Sequence, residues 1–500
     1  MKTLPEIIQW LKQQDHIRVL LVEVEGVKIQ GVSSTLYLSN KAFTSTPTDT
    51  PANTCYDPCV VGGISFSESI SLDGAPSIGF GDIEIENIGG IRDTWLDYIW
   101  ANRTVNIYMG DPRWYKNDYY KIFSGVVSDI ASRDNSKLNL ILLDKLERLN
   151  KPISEDLIGG TGNNKDVVKP LVFGECFNVS PVSTDSNPNQ LEYIVHNGNT
   201  ERLIEVRDNG VPLVGTSLPT FTAATGKFVL TRSPAGQITA SVQGSTLGAT
   251  YSNKVADIIK YIVKNYGPTE TKLTDADIDL DIFNDFNAVH TQPVGIFCNS
   301  RENILDVCQQ LAYSVGAGLA INSSGKLALI KLAIPGTSPT LYVTPNDMEF
   351  NSISVTERSI VKGSVKLGYC RNWSVQEGTS LAGGVPSTHA QVYALEYGPT
   401  MVEDTAQIVE YKLYTQVEEE STLLLNKTTA DAEANRRLDL WSVPRKIVTA
   451  IYYAHMLEVT LGQSFNITHP RFGLDAGVSG TVVSIERDWV RGRVTIGVLI

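Results

Sequence analysis

The feature that most constrains the fold is the closing segment, residues 429–500, in which short apolar-alternating runs are separated by turn residues. The runs span 447–453, 457–467, 480–485 and 494–499, with glycine at the turns between them. Alternation with a period of two is typical of half-buried strands. Ahead of them, Ala430, Ala434 and Leu438 are spaced among charged residues as in an amphipathic helix, which Pro444 ends. The segment therefore predicts one helix followed by an antiparallel meander.

The first 150 residues repeat this β pattern. Two alternating runs meet at Gly26, where we predict a turn, and residues 41–58 read as an exposed loop rich in Thr, Ser and Pro. A short helix is predicted over 92–100. The later runs "VNIYMGD", "IFSGVVSDI" and "LNLILLDKL" are bounded by Gly, Asp or Asn. Such strands together predict a sheet that curls closed and leaves no exposed edge.

Helical periodicity is concentrated in the middle of the chain. Residues 252–267 predict a helix capped by Ser252 or Asn253 that buries its isoleucines and ends at Gly267. Residues 301–315 predict a second helix with Cys308 on its inner face, followed by a hairpin that turns at 323–325. Before these helices, Gly174 is predicted to form a turn, and Asp208-Asn209-Gly210 is a strong tight-turn signal.

Length and charge set further limits. A chain of 500 residues with 42% hydrophobic and 19% charged residues predicts a folded protein of three or four domains. The net charge of -13, from 42 basic and 55 acidic side chains, disfavours binding of double-stranded nucleic acid through broad electrostatics. No apolar run is long enough for a membrane helix. The opening "LPEIIQWLKQQD" is an amphipathic helix and does not read as a secretory signal.

Six cysteines are spread along the chain, and only Cys55 and Cys59 lie close in sequence. Tetrahedral metal sites usually join two such pairs, and no second pair exists here. Free thiols are therefore expected, and a Cys55 to Cys59 disulfide stays open as an alternative. The other cysteines are Cys176, Cys298, Cys308 and Cys370.

Candidate catalytic and metal-binding patterns are weak. The alternating aspartates 275, 277, 279 and 281 lack the glycine and glutamate of a calcium loop, so a capped, acid-rich helix start is the better interpretation. The segment 159–165 lacks the ending of a phosphate loop and reads as a linker. The histidines, dispersed and outside any catalytic motif, are His16, His196, His290, His389, His455 and His469. We predict no catalytic residue, no metal ligand and no cofactor.

One aromatic loop offers a possible binding surface. Arg113, Trp114 and Tyr115, with Tyr119 and Tyr120 nearby, have side chains that stack on sugars or bases. Arg, Trp and Tyr are equally the preferred anchors of protein interfaces. The loop therefore predicts either a ligand site or a contact with a neighbouring subunit.

The order of several motifs resembles tail hub or baseplate hub proteins of tailed bacteriophages. The closing "LEVTLGQSFNITHPRFGLDAGVSGTVVSIERDWVRGRVTIGVLI" is similar to the end of such hubs, and "VNIYMGD", "IFSGVVSDI" and "LNLILLDKLERLNKPI" are similar to the strands that close their first barrel. "TGKFVLTRSPAGQITASVQG" resembles a β module inserted in many of them.

The resemblance implies a mostly β protein with an α+β insert, built from several fused small barrels or sandwiches. The expected domains are an N-terminal barrel over 1–154, an inserted β module over 155–250, an α+β domain over 251–345 and a C-terminal β domain over 346–500 that interleaves with the first. Some hub proteins hold an iron-sulfur cluster through four cysteines. Here this alternative requires Cys176, Cys298, Cys308 and Cys370 to converge.

The resemblance implies a structural role without catalysis, in the tail tip or baseplate of a virion, after synthesis in the host cytoplasm. Copies are expected to form a homotrimeric hub ring that continues the tail tube, supports fibres or a spike and gates DNA passage. Expected neighbours are a distal tail protein, the tail tube or tape measure, fibre or spike proteins and the host envelope, with no specific nucleic acid. Two other functions stay open: a carbohydrate-binding receptor protein at the tail tip, and a tail-associated hydrolase of the cell envelope.

Overall fold

A computed structural model describes residues 1–62, 64–70, 76–80, 82–143, 145–184, 191–322, 325–332, 339–414 and 416–500. The α-helices of these residues are α1 Leu4–Leu11, α2 Val255–Asn265, α3 Leu280–Val289, α4 Ile304–Ser314, α5 Ser387–Ala394, α6 Thr405–Tyr411 and α7 Lys427–Trp441. Among these helices, none combines the length and the apolar character that a membrane span requires.

Strands make up most of the ordered structure, as the sequence predicts. Up to residue 183 they are β1 Val19–Ile29, β2 Val32–Ser39, β3 Phe43–Thr44, β4 Cys55–Tyr56, β5 Val60–Val61, β6 Ser65–Ile70, β7 Pro76–Phe80, β8 Asp82–Glu86, β9 Arg103–Gly110, β10 Tyr120–Asp134, β11 Lys137–Leu143, β12 Leu171–Val179 and β13 Val182–Ser183. The later strands are β14 Glu192–Ile194, β15 Thr200–Asp208, β16 Val211–Pro212, β17 Thr220–Thr222, β18 Lys227–Val229, β19 Ile238–Ser245, β20 Gly295–Cys298, β21 Ala317–Ile321, β22 Leu327–Lys331, β23 Leu341–Val343, β24 Ser354–Arg358, β25 Ser364–Tyr369, β26 Gly398–Glu403, β27 Glu419–Ser421, β28 Lys446–Tyr453, β29 Ser464–His469, β30 Leu474–Asp488 and β31 Arg493–Leu499.

The chain divides into two compact units, each made of separate segments. Unit 1 comprises Met1–Arg148, Ala320–Ile360 and Pro444–Ile500, and unit 2 comprises Leu149–Leu319 and Val361–Val443. The four-domain division expected from the sequence uses other boundaries and stays a prediction. The architecture itself is mostly β, with small closed sheets and an α+β part, which confirms the predicted fold class.

The first sheet of unit 1 has the order β2-β1-β9-β10-β11-β8-β5 and closes on itself. Val60 in β5 pairs with Ile85 in β8, while a few residues earlier Asp57 donates its N–H to the carbonyl of Tyr37 in β2 at 2.9 Å. The connection 57–61 therefore joins the two ends of the sheet. Closure pairs the backbone groups that an open edge would expose.

Two local predictions for the first 58 residues are wrong. β1 continues through Gly26, with a register shift between Val24 and Val27, and the turn lies instead at Gln30 and Gly31. A β-bulge lets β1 continue as one strand at the point where the apolar-polar alternation of the sequence is interrupted. The segment 41–58, predicted as an exposed loop, contains the β3-β4 pair and buries Phe43 and Tyr56.

The second sheet of unit 1 contains the closing segment and has the order β23-β29-β30-β31-β28-β24. β23 lies parallel to β29 at one end, and the residues after it reach the other end, where the N–H of Glu349 donates to the carbonyl of Ile451 in β28 at 2.7 Å. This sheet is therefore also closed by a short connecting segment.

β30 is the central strand of this sheet and pairs along both of its sides. One side pairs with β31, and the other pairs first with β29 and then, from Ser484 to Asp488, with β6. In β6, Phe66 stacks on Phe123 of β10 at 4.5 Å between ring centroids. Residues from the start and from the end of the chain thus share one sheet.

The predicted helix and strands of the closing segment are largely confirmed. α7, β28, β29, β30 and β31 follow in the expected order. The run 457–467 is wrong in its first half, because a 3-10 turn at Ala454–Met456 precedes an irregular stretch and the strand begins only at Ser464. The predicted helix over 92–100 is likewise reduced to a 3-10 helix at Asp93–Asp97.

Unit 2 combines a five-stranded sheet of order β16-β15-β19-β12-β20 with helices and two smaller sheets. The Asp208-Asn209-Gly210 turn is confirmed, since Asp208 pairs with Val211 and both central residues have positive φ. Gly174 does not form a turn: it lies within β12, has a φ of +69° and pairs with Gly295 of β20.

The predicted helices of unit 2 are confirmed, with changes at their ends. α2 begins one residue after Lys254, and Ser252 instead accepts the N–H of that lysine at 3.2 Å. α4 buries Ile304, Val307 and Cys308 as predicted. α5 and α6 lie where no helix was predicted. Ser323 and Ser324, part of the predicted hairpin turn, lie outside the described residues, although β21 and β22 pair as a hairpin.

α7 differs from an ordinary amphipathic helix because it buries charged residues. Arg437 donates to Glu433 Oε1 at 2.8 Å, to Glu420 Oε2 at 2.6 Å and to the carbonyl of Tyr313 at 2.7 Å. Glu433 and Arg437 are both buried. Buried charges are tolerated when they are paired and hydrogen-bonded in this way.

Candidate functional site

The acidic run 275–281 forms the start of a helix, as the sequence predicts. The Asp279 carboxylate accepts the N–H of Ile282 at 3.2 Å and caps α3, while Asp277 accepts from the N–H and hydroxyl of Thr274. Asp275 pairs with Lys264 at 2.6 Å. Asp277 and Asp279 therefore cap the 3-10 helix Asp275–Asp277 and α3, respectively, while Asp275 forms an ion pair.

The cysteines are all free thiols, so the structure does not contain the Cys55 to Cys59 disulfide left open above. Cys55 is exposed beside the Thr44 hydroxyl at 3.2 Å, whereas Cys59 is buried, and burial raises the pKa of its thiol to about 12. In unit 2, burial likewise raises the pKa of Cys176, Cys298 and Cys308. Within the described ranges, no three His, Cys, Asp or Glu side chains are placed to hold a metal ion.

The histidines have separate local roles. His196 is buried, and its Nδ1 accepts the N–H of Val172 at 3.0 Å. Burial lowers its pKa to about 4, so the ring is neutral at pH 7. His455 Nε2 lies 3.1 Å from Asp347, near the end of β28. Each ring thus has a local partner within its own unit.

The aromatic loop 113–120 is used mainly inside the fold of unit 1. Trp114 packs against Trp10 at 4.8 Å between ring centroids, and the Lys2 ammonium lies 4.9 Å above its ring. Tyr119 is fully buried, while Tyr115 is exposed. The sequence therefore identified the right loop as aromatic, but most of its rings serve packing.

Asp111 anchors this loop and predicts a pH-dependent stability. Its side chain is buried and accepts two bonds of 2.7 Å from Arg113, together with bonds from Trp10 and the N–H of Ile17 at 3.2 Å. The Arg113 bonds, with the others, hold the pKa of Asp111 well below its usual range. Asp111→Asn is expected to lower the free energy of unfolding at pH 7 by about 2 kcal/mol.

That loss should shrink as the pH falls below about 4, the ordinary pKa of an unfolded aspartate, because protonation of the unfolded chain removes the advantage of the wild-type carboxylate. Urea unfolding at pH 7, 5 and 3 measures the effect. Asp15→Asn is the control, since the Asp15 carboxylate is exposed at 3.6 Å from Arg113. A loss that is equal at all three pH values would contradict the prediction.

The clearest candidate for an interaction site is an exposed aliphatic surface formed by residues 88–99 of unit 1, named here the 88–99 surface. Its members Ile88, Ile91, Leu96 and Ile99 are exposed by 62, 68, 47 and 51%. The backbone of Ile99 pairs with Lys28, close to the β1-β2 turn and to Val32 at the start of β2. Val32 is exposed and adds a fifth aliphatic side chain.

Polar contacts hold the backbone of the 88–99 surface in place. Arg92 donates to the Asp57 carboxylate at 2.7 Å and to the carbonyl of Glu86 at 2.8 Å. The side-chain amide of Asn87 donates to the Asp93 carboxylate at 2.8 Å. Trp100 is buried beneath the segment and donates its indole N–H to the carbonyl of Trp95 at 2.7 Å. The aliphatic side chains are thus presented outward from an ordered segment.

Sequence analysis missed this surface and read the segment as a short helix. The apolar residues Ile88, Ile91, Trp95 and Ile99 lie three or four positions apart, which is the helical period that led to the prediction. The contrary signal is the pair of adjacent glycines, Gly89 and Gly90, which disfavours a regular helix.

Comparison with known proteins gave structural matches only. No protein-family model matches the sequence, and no curated protein matches it. A tail protein from Neisseria meningitidis MC58 is similar over 96% of each chain, with 8% identity and a TM-score of 0.39. The 43 kDa tail protein of prophage MuSo2 from Shewanella oneidensis is similar over 97% of this chain and 98% of its own, with 11% identity and a TM-score of 0.39.

A third similar structure comes from the virion of a native gene transfer agent particle. It covers 70% of this chain and 90% of its own, with 13% identity and a TM-score of 0.43. These three similar structures come from two tail proteins and a virion particle.

Proposed function

We propose that this protein is a structural component of a phage tail tip or baseplate. In this proposal it forms a homotrimeric hub ring that continues the tail tube, supports fibres or a spike, and gates DNA passage at infection. It acts by assembly and carries out no catalysis. Its place is the tail end of the virion, after synthesis in the host cytoplasm.

The observation that carries the proposal is the 88–99 surface. Folded monomers rarely present a concentrated group of exposed aliphatic side chains unless a partner covers them. The polar contacts of Arg92 and Asn87 fix the backbone in advance, so little ordering is lost on binding. A second copy of the chain is the partner that a ring requires.

The closed sheets of unit 1 and the charge of the chain support the same role. Closed sheets have few open edges, so contacts between subunits must be made by side chains on the outside. The formal net charge of -13 opposes adhesion to a DNA backbone. Both properties suit a ring through which a genome passes without being retained.

Further partners follow from the proposed position in the particle. A distal tail protein and the tail tube or tape measure would adjoin the ring on one side. Fibre or spike proteins, and during infection the host envelope, would adjoin it on the other. Cryo-electron microscopy of the virion tests this placement: density for the chain away from the tail end would contradict it.

Substitutions on the 88–99 surface test self-assembly directly. The wild-type chain, 54.7 kDa as a monomer, is expected to form trimers in native mass spectrometry and light scattering. The double substitution Ile88→Asp and Ile91→Asp should shift it to monomers, because an unpaired carboxylate buried in a contact costs at least about 3 kcal/mol, roughly a hundredfold in affinity.

Val214→Asp provides the matched control, since Val214 is an equally exposed aliphatic residue in unit 2. Circular dichroism should show the same fold for all three proteins. A wild-type chain that remains monomeric at high concentration would overturn the proposed self-assembly. So would a double variant that assembles as well as the wild type.

A further inference from the structure

Unit 2 contains a cleft that the assembly role leaves without a function. It has a volume of about 570 Å³ and lies between residues 152–156, Asn197 and the end of α2 with the turn that follows it. This volume is in the range of sites for small ligands. Polar side chains and two tyrosines form most of its lining: Ser154, Glu155, Asp156, Asn197, Tyr261, Asn265, Tyr266 and Lys272.

The two tyrosines form an aromatic wall of the cleft, and contacts with other aromatic side chains hold it in place. Tyr266 makes an edge contact with Phe173 of β12 at 5.2 Å between ring centroids, and Phe173 in turn contacts the buried His196. Tyr261 lies at 6.0 Å and 68° to Tyr266, so the two rings present surfaces of different orientation. A wall of this kind offers flat apolar area at little cost in conformational entropy.

The backbone of the lining residues 153–156 is also held in place. Ile153 donates its N–H to the carbonyl of Glu302 at 2.7 Å, and the carbonyl of Asp156 accepts from Lys169 at 2.8 Å. The Asp156 carboxylate accepts from the Asn197 amide at 2.9 Å. This bond orients both side chains and leaves a carboxylate oxygen and an amide oxygen as further acceptors.

Other polar groups in the cleft are available to a ligand. Within the part of the chain that the structure describes, Tyr261 Oη, Asn265 Oδ1 and Lys272 Nζ have no hydrogen-bond partner. The Asn265 amide nitrogen is already used, since it donates to the carbonyl of Tyr261 at 2.9 Å. The cleft therefore mixes donors with acceptors, next to an aromatic wall.

The chemistry of a sugar ring matches this arrangement. Each hydroxyl of a hexopyranose both donates and accepts, and the apolar C–H face of the ring packs on aromatic side chains. Glu155 and Asp156 against Lys272 leave a local excess of one negative charge. That excess disfavours phosphates and acidic sugars and favours neutral or amino sugars.

We propose that this cleft binds a neutral or amino hexopyranose unit of an exposed glycan. The sugar ring packs against Tyr261 and Tyr266, and its hydroxyls bond the Asp156 and Asn197 pair on one side and Asn265 and Lys272 on the other. The site adds recognition of a carbohydrate surface to the assembly role and does not depend on it.

Titration of the full chain with methyl glycosides tests the site. The probes are the methyl glycosides of glucose, galactose, N-acetylglucosamine and glucosamine, with N-acetylneuraminic acid and glucose 6-phosphate as charged counterparts, followed by saturation-transfer NMR and calorimetry. At least one neutral or amino sugar should bind, and the two charged compounds should bind more weakly. Asp156→Asn and Asn265→Ala should each weaken binding roughly tenfold.

Asn435→Ala is the matched control for Asn265→Ala. Both asparagines are exposed on a helix of unit 2, and each donates its side-chain amide to the carbonyl four residues earlier, at 2.8 Å for Asn435 and 2.9 Å for Asn265. The control should bind sugar as the wild type does, and thermal unfolding of both variants should be alike.

Three results would overturn the proposal: none of the sugars binds, the charged compounds bind best, or both cleft variants bind as strongly as Asn435→Ala. Native mass spectrometry of the same variants separates the two roles. If a cleft variant loses sugar binding while its oligomer stays intact, the result tests the cleft proposal alone. If the chain is monomeric and still binds sugar, the result tests the assembly proposal alone.

Discussion

Arg487→Met is expected to destabilise unit 1 by about 3–5 kcal/mol, because it leaves the carboxylate of Glu68 without its charged partner in a mostly buried position. The Arg487 side chain is 3% exposed and donates to Glu68 Oε1 at 2.6 Å. It also donates to the carbonyls of Leu457 and Val459, the latter at 2.6 Å. Urea unfolding followed by tryptophan fluorescence, to which the buried Trp489 contributes, measures the change.

Two further variants make this result specific. Arg491→Met removes an arginine that is 82% exposed, just beyond the same strand, and should change stability by no more than about 0.5 kcal/mol. Combining Arg487→Met with Glu68→Met should recover part of the loss, since an apolar pair replaces a broken ion pair. Equal effects of Arg487→Met and Arg491→Met would show that the buried contacts contribute nothing.

Gly295→Ala is expected to destabilise unit 2 by about 3 kcal/mol or more, at the upper end of the cost of overpacking. A Cβ on Gly295 would lie far inside contact distance of the Glu175 carbonyl, a backbone group that cannot turn aside. Gly174, its partner across the β12-β20 pair, is equally crowded by the carbonyl of Val294. The two backbones approach so closely that neither position accommodates a side chain.

The control for this prediction is Gly383→Ala. A Cβ there meets no atom within 4 Å, so its free energy of unfolding should stay within about 0.5 kcal/mol of the wild type. Chemical unfolding of both variants, followed by circular dichroism, gives the comparison. If Gly295→Ala proved as mild as the control, the close approach of β12 and β20 would not be a constraint in solution.

Sequence patterns predicted the elements of this fold where local periodicity decides them. The residues that specify such an element lie within a few positions of each other in the sequence. This holds for α4, α7, the Asn209-Gly210 turn and most of the closing strands. Predictions were wrong where tertiary packing overrides the local signal. Gly26 and Gly174 looked like turns, yet each lies within a strand that continues through it and pairs with a neighbouring strand.

Candidate sites were harder to predict, because their residues are brought together only by the fold. Asp156, Asn197 and Asn265 are far apart in the sequence and carry no motif, although they line one cleft. Pairing of β6 with β30 joins residues more distant still, and only the resemblance to hub proteins suggested such interleaving. Burial of Glu433 and Arg437 in α7 was likewise invisible, since charged residues in an alternating pattern normally face water.

The pairing of β6 with β30 also bears on how the polypeptide matures during translation. Ser67 and Ser69 emerge from the ribosome long before Glu486 and Ser484, their neighbours across the ladder, have been synthesised. The edge of β6 that pairs with β30 therefore stays unpaired until β30 is made, whereas all the residues of unit 2 are available before β30. Nascent chains would then gain protease resistance in unit 2 first, and in unit 1 only after β30 has been synthesised.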